Sequence, residues 1–350
     1  MKVAVVYNRD QNGTINVFGM QNREWYPEET ILRVVEALES EGHEVYRIPA
    51  DRSLLSNLKK FLPKLSKRRP NGIVFNLALG VQGKCRYTHV PAILEVAGIP
   101  YTGSSPMGHT LAQDKVVAKQ IFLASNLPTP NYRVFLSEDL DAPHLNYPVI
   151  VKPRSEAASF GLKTVNDDTA LREAIAEIIN EYRQPALAEE FIEGREVNVS
   201  LLGNDPPDAM PVLELILGEG TNAVYSHESK FHQKNAGRVK MVCPAGLPPE
   251  TSAYIQELAV RVFAALNTFD YGRVDFRLNR YNLPYILEMN SMASLNPGSS
   301  FVTAARKSGL SYAQLINRIV DVAVKRYSRE EPDYFHSEDQ SSRKQNNRDV

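Results

Sequence analysis

Two stretches near the end of the chain constrain its fold most: Arg273-Val274-Asp275-Phe276 and Leu287-Glu288-Met289-Asn290. Both alternate polar and apolar residues with a period of two, the period of a strand. Arg273 and Asp275 therefore share one face of the first strand, and Glu288 and Asn290 share one face of the second. If the strands pair, one carboxylate from each converges with an amide. That oxygen set suits Mg2+, which prefers hard ligands and binds carboxylates alongside substrate phosphates. Arg273 would lie beside those phosphates and stabilise developing negative charge. The competing reading is a solvent-facing polar side on two antiparallel strands, and either strand taken alone permits it.

The beginning of the chain is patterned differently. Residues 2 to 7 predict a buried strand, followed by a polar loop from Asn8 to Trp25. Pro27-Glu28-Glu29-Thr30 opens a helix to about Ser40, with Ile31, Val34, Val35 and Leu38 on one face. Gly42 ends it, and Glu44 to Ile48 reads as the next strand, so the sheet begins parallel. Ile73 to Leu77 is another buried strand, and a helix from about Val90 ends near Gly98. Residues 1–104 thus read as a small open α/β domain.

A second region, 105–188, predicts a helix over Leu111 to Asn126, a rigid turn at Pro128-Thr129-Pro130 and a strand in Tyr147 to Pro153. Ala157 to Gly161 read as a mobile loop of mostly small residues, and Leu171 to Tyr182 as an amphipathic helix. A third region, 189–328, takes strands at Ala186 to Phe191, Glu196 to Leu202, Pro211 to Leu217, Gly272 to Leu278 and Pro284 to Met289. Its long helices are Thr251 to Leu266 and Tyr312 to Tyr327. Residues 329–350 are polar and read as a disordered tail.

A length of 350 residues predicts two or three domains. The formal net charge is -1, so no global field favours nucleic acid or an anionic membrane, and an anionic nucleotide needs a local basic site. No apolar stretch approaches the roughly 18 residues of a membrane span, and the short N-terminal apolar run is not a signal peptide. The expectation is a soluble cytoplasmic protein. Cys85 and Cys243 show no metal or redox spacing and read as incidental or buried thiols. The chain has no G-x-x-x-x-G-K-[ST], no G-x-G-x-x-G after its first strand and no zinc-type histidine spacing.

Local cations are present. Lys152 ends the apolar run Val149-Ile150-Val151 and must leave the core or find an anion. Lys115 follows Asp114 at a helix start, and Lys230 lies in Glu228-Ser229-Lys230-Phe231. Alone, the latter two read as surface charges; together the three offer compact cations for a triphosphate. Glu189-Glu190-Phe191-Ile192-Glu193-Gly194-Arg195-Glu196 joins two strands and fits either a charged hairpin or a nucleotide pocket whose carboxylate accepts from ribose hydroxyls.

In chain order, Asp114-Lys115, Val151-Lys152-Pro153, Glu189-Glu190-Phe191-Ile192, Glu228-Ser229-Lys230-Phe231, Cys243-Pro244-Ala245-Gly246-Leu247, Gly272-Arg273-Val274-Asp275-Phe276 and Leu287-Glu288-Met289-Asn290 resemble the D-alanine–D-alanine ligase family of ATP-grasp enzymes. The resemblance covers about residues 70 to 320. It implies a three-domain ATP-grasp fold, α/β at the N-terminus and α+β in the ATP-grasp part, with ATP between two sheets. Lys115 and Lys152 would contact the phosphates. Glu189, Phe191, Ile192 and Glu196 would line the adenosine pocket, with Ser159 and Glu190 also counted among the nucleotide-binding residues. Lys230 would reach the terminal phosphate from a closing loop. Asp275, Glu288 and Asn290 would hold two Mg2+, with Mn2+ as a substitute. The reaction implied is amide formation through an acyl phosphate, with Arg273 stabilising the tetrahedral intermediate and Ser299 at the acceptor carboxylate. The substrates implied are small amino acids, and the implied assembly is a homodimer.

The departures lie in the amino-acid pockets. The family sequence after Lys-Pro is Glu-Gly-Ser-Ser-Val-Gly; here it is Glu156-Ala157-Ala158-Ser159-Phe160-Gly161. Ala158 and Phe231 stand where the family has the serine and tyrosine of a closing hydrogen-bond triad. Leu79 replaces a substrate-binding histidine, and Ser294 aligns with the glycine of the oxyanion site. The family's amine-binding glutamate corresponds to no certain position, with Glu24 and Glu28 as candidates. Because unpaired groups in buried polar networks are costly, these losses predict a changed or more apolar substrate. The alternatives are a divergent branch with the same substrate, and a non-catalytic ATP-binding protein.

Overall fold

The computed structural model describes residues 1–8, 21–62, 70–137, 146–216 and 239–329. Lys230, Phe231 and all but the first residue of the expected tail lie outside the described residues. Strands β1 (Lys2–Tyr7), β2 (Glu44–Pro49) and β3 (Gly72–Asn76) form a parallel sheet in the order β2-β1-β3. Val3 to Tyr7 and all of β3 are buried, as a parallel sheet covered on both faces requires. Tyr101 adds an isolated parallel bridge to Val74. The helix Glu28–Glu39 covers one face, together with the C-terminal helix Tyr312–Arg329. Val3, Val5, Ile73 and Phe75 share one core with Val34, Leu38, Leu315 and Ile319. The chain's last described helix therefore belongs to the core of its first sheet. The opposite face packs a helix that the sequence pattern does not announce, Leu54–Phe61, with Leu54 and Leu58 inward.

Strands β4 (Tyr132–Phe135), β5 (Val149–Pro153), β6 (Lys163–Val165) and β7 (Ala186–Glu190) form a second sheet in the order β4-β7-β5-β6, antiparallel throughout. Here the structure corrects an expectation. The strand at 186–190, expected in the third region, pairs with β4 and β5 in the central sheet. The helix expected over Leu111 to Asn126 is two helices, Pro106–Gln113 and Lys115–Ala124. Asp114 separates them in extended conformation, and its carboxylate accepts hydrogen bonds from the backbone N–H of Val116 and Val117, both at 3.1 Å. An aspartate at the N-cap satisfies orphan amide donors of the first turn.

Strands β8 (Gly194–Leu202), β9 (Asp208–Ala209), β10 (Leu213–Ile216), β11 (Lys240–Val242), β12 (Tyr271–Asn279) and β13 (Pro284–Asn290) form the third sheet. Its order is β11-β10-β8-β12-β13, with β9 beside β8. Val197, Val199, Leu201, Val274, Phe276 and Leu278 point to one side and bury against Ile255, Leu258 and Val262 of the helix Pro249–Ala265. The alternate residues, Glu196, Asn198 and Ser200 on β8 and Arg273, Asp275 and Arg277 on β12, face the other way. No described helix is long and apolar enough to cross a membrane.

Candidate active site

The polar face of the third sheet is set by register. Arg273 pairs with Asn290 and Asp275 with Glu288. Between Asp275 and Phe276 the register shifts, so that Phe276 pairs with Ile286 and Leu287 is the extra residue. Such a bulge places two residues opposite one and reverses the side-chain parity. Ile286 consequently enters the core while Leu287 and Glu288 both line the cleft. Without the bulge, strict alternation would place Ile286 and Glu288 on the same face.

The three polar groups converge. The Arg273 guanidinium donates to both oxygens of Asp275, Nε to Oδ1 and Nη2 to Oδ2, each at 2.6 Å. Asn290 Nδ2 donates to Asp275 Oδ2 at 2.9 Å, which turns its own amide oxygen away from the carboxylate. Glu288 Oε2 lies 3.1 Å from Lys115 Nζ. Among the described residues no group of three or more His, Cys, Asp or Glu could hold a metal ion. Two carboxylates and an amide therefore make up the candidate donor set. Its all-oxygen chemistry fits a hard divalent cation completed by phosphate oxygens rather than an all-protein cage.

The second sheet faces this site across a cleft of about 770 Å³, its mouth included. Ile150 and Lys152 of β5 and Glu189 and Glu190 of β7 contribute one wall. Phe191, Ile192 and Glu196 continue it, and Asp275, Arg277, Leu287 and Glu288 supply the other. Lys115, Glu156, Ser159 and Phe160 close the end. Lys115 Nζ donates to the Glu156 carbonyl at 2.7 Å and is largely buried, so it is not the surface charge that it resembles in isolation. Ala158 and Ser159 adopt φ of +53° and +61°. Left-handed backbone at two successive residues other than glycine is uncommon and bends this loop over the cleft end.

Charge in the floor is compensated in pairs. Glu189 is buried, with Lys152 bonded to Oε1 and Lys119 2.8 Å from Oε2. Burial works against its charge, but the two lysines outweigh it, and the carboxyl titrates below its ordinary value. Burial pulls Lys119 down to about 8, against the opposing pull of Glu189. Arg277 holds Glu196 at 3.3 Å and lies over the Phe191 ring, 4.6 Å from its centroid.

Other expected residues have different settings. Ser299 caps the helix Ser300–Lys307, accepting from Val302 N–H at 3.3 Å and donating to the Ser294 carbonyl at 2.6 Å. Its neighbour Ser300, rather than Ser299, contacts Arg273, at 3.3 Å from Nη1. Of the two glutamates near the first helix, Glu28 pairs with Arg47 at the surface. Glu24 turns inward, accepting from Arg86 Nη2 at 3.2 Å and from the Tyr87 hydroxyl at 2.8 Å. Arg86 is 2% exposed and lies 3.7 Å from Glu156. Sequence reasoning missed Lys119, Arg277 and Arg86. Lys119 stands one helical turn after Lys115, and Arg277 stands two residues after Asp275, so their spacing could have flagged both. Nothing local marks Arg86. Glu190 accepts from Asn131 and Asn146 at the cleft rim, at 3.0 and 3.1 Å.

This architecture has known counterparts. A D-alanine–D-alanine ligase from Bacillus anthracis, solved in complex with ATP, superposes with a TM-score of 0.72 at 20% identity, covering 93% of this chain and 98% of that one. The uncharacterized protein y4sG of Sinorhizobium fredii is 43% identical over 93% of this chain and 98% of its own length. The D-alanine–D-alanine ligase of Acetivibrio thermocellus is 33% identical over 75% of this chain and 70% of its own, and that of Desulforudis audaxviator 32% over 84% and 92%. The family model described as the D-ala D-ala ligase C-terminus matches residues 121–321. On this match and these identities, the chain belongs to the D-alanine–D-alanine ligase family of ATP-grasp ligases.

Proposed function

We propose that this protein joins two amino acids, or an amino acid and a small carboxylate, in an ATP-dependent reaction that releases ADP and phosphate. The observation that carries this reading is the convergence of Lys115 and Lys152 with Asp275, Glu288 and Asn290 on one cleft. In this reading the nucleotide base lies by Phe191, Ile192 and Leu287, and Glu196 accepts from the ribose. Lys115 and Lys152 hold phosphate oxygens, joined by Lys230 from the segment outside the described residues. Two Mg2+ ions would neutralise phosphate charge, held by Asp275, Glu288 and Asn290. The donor carboxylate takes the terminal phosphoryl group, an amine attacks the resulting acyl carbon, and phosphate leaves. Arg273 offsets charge on the tetrahedral oxygen, and the Ala157 to Gly161 loop helps exclude water, which would hydrolyse an acyl phosphate. Three units serve this: 1–104, a central unit carried on to Glu190 to include β7, and the remainder to 328.

The amino-acid end supports a substrate other than a D-alanine pair. Leu79 packs in an apolar cluster with Tyr26, Tyr87, Met292 and Leu295, so position 79 itself offers a substrate no imidazole. The deciding experiment measures ADP release against a panel of D- and L-amino acids, with mass spectrometry of the products. Turnover with at least one carboxylate–amine pair is expected, with a pair other than two D-alanines preferred. No substrate-dependent ADP from any pair would refute the reading.

Arg277 offers a narrower test. It orients Glu196 and carries the charge that balances it, and a charge-assisted hydrogen bond is worth about 1.5–3 kcal/mol. Arg277→Met is expected to raise the KM for ATP about tenfold or more. Its kcat should change far less, because the residue lies toward the base rather than the reacting phosphate.

A further inference from the structure

We propose that Lys119 is a positioning residue, a permanent counter-ion for Glu189 that leaves Lys152 free to engage the phosphates. The inference rests on the nucleotide occupying the cleft as described above. Lys119 itself cannot be a ligand of that nucleotide, because it is 0% exposed beneath the floor. Its surroundings are fixed on every side. Thr129 Oγ1 accepts from its ammonium at 2.6 Å and donates to the Ile286 carbonyl of β13 at 2.8 Å. The Tyr132 ring centroid lies 5.5 Å away. Its ionic partner is Glu189, which divides its two oxygens between Lys119 and Lys152.

This trio carries a net charge of +1, and the two lysines are not equivalent. Lys152 lines the cleft, whereas Lys119 does not. An incoming phosphate competes with Glu189 for Lys152. With Lys119 present, Lys152 can change partners while Glu189 keeps a cation 2.8 Å away. Without Lys119 the trio would be a neutral pair. Drawing Lys152 to the phosphate would then strand a buried carboxylate beside a second anion, a situation that is strongly unfavourable in a low-dielectric interior. The depressed titration of Glu189 agrees with a carboxylate held ionised by two cations.

The test uses the full chain, with ATP affinity read by isothermal titration calorimetry and KM and kcat from ADP release. Lys119→Met is expected to weaken ATP binding roughly 10- to 100-fold, with kcat at saturating ATP within about threefold of wild type. Adding Glu189→Gln removes the stranded charge and should bring affinity back to the level of the Glu189→Gln single variant. A purely structural role would lower the melting temperature and kcat together and would not be relieved by the second substitution. Because Glu189 itself lines the cleft, the reference for the double variant is Glu189→Gln alone. Should Lys119→Met not fold, the double variant decides, with affinity expected within about threefold of Glu189→Gln. Unchanged ATP binding in Lys119→Met, or a loss that Glu189→Gln does not relieve, overturns the inference alone. A wild-type protein that does not bind ATP overturns the functional reading and this inference with it.

Discussion

Asp275→Asn is expected to lower ADP release by at least ~1000-fold while leaving the fold intact. The substitution keeps the size of the side chain and one carbonyl oxygen, so a contact with Arg273 survives. What it removes is the charge on which three groups converge. Asp275 receives both arms of Arg273 and the amide of Asn290, and it sits opposite Glu288 in the proposed metal site. Loss of a single preorganised donor at a transition state costs about 100- to 1000-fold in kcat. Here cation binding is lost together with one of the two hydrogen bonds that place Arg273. The side chain is 17% exposed, so the stability cost is modest. The check pairs ADP release with a thermal melt and a Mg2+ titration. Retention of more than about a tenth of wild-type turnover, with an unchanged melt, is far from the ~100-fold minimum that one lost donor sets and would remove Asp275 from the proposed metal site.

The site was legible in the sequence where it depends on strand periodicity. Arg273, Asp275, Glu288 and Asn290 each declare their face by alternation within their own strand, and the two strands do pair. The bulge at Leu287 was not legible, because nothing within Ile286-Leu287-Glu288 says which residue is surplus. It follows from the register with β12, which is a tertiary fact. The same limit explains β7. Ala186 to Glu190 reads as a strand, but its partners β4 and β5 lie about 35 to 55 residues earlier in the chain, and the pattern of β4 does not announce a strand. The break at Asp114 was available, since an aspartate before a lysine-led apolar run is an N-cap signal. It was overridden by the apolar residues on either side, which look like one continuous helix. The buried ion pairs were the least legible. Arg86 and Lys119 have the local sequence of surface residues, and their burial comes from glutamates remote in sequence. For Arg86 that partner is Glu24, and for Lys119 it is Glu189.

The C-terminal helix shows the consequence of such remote pairing for stability. Asp270→Ala is expected to destabilise the protein by about 3–5 kcal/mol, the range for breaking a buried ion pair by removing one partner. Asp270 is 0% exposed and its oxygens are fully engaged. Oδ1 accepts from Asn204 Nδ2 at 2.9 Å and Arg326 Nε at 3.1 Å, and Oδ2 from Arg326 Nη2 at 2.9 Å and the Gly103 N–H at 2.8 Å. One carboxylate therefore joins the end of the first α/β unit, the turn after β8 and the helix Tyr312–Arg329. Arg326 in turn donates to the Tyr101 carbonyl at 3.1 Å and lies over the Tyr327 ring at 4.4 Å. Burial opposes the charge of Arg326, yet Asp270 outweighs it and holds the guanidinium above its ordinary titration range. Removing Asp270 leaves that cation buried without its partner. Alanine must also hold a φ of +67°, which an L side chain with no polar atom tolerates poorly. A fall of roughly 5–15 °C in melting temperature is expected, since each kcal/mol shifts a chain of this size by a few degrees at most. Arg326→Met alone should act similarly, but the double variant should cost less than the sum, because neither charge is then stranded. Strict additivity in that cycle would show that the two residues act separately. Catalysis at low temperature should survive in every variant, because none of these groups lines the cleft.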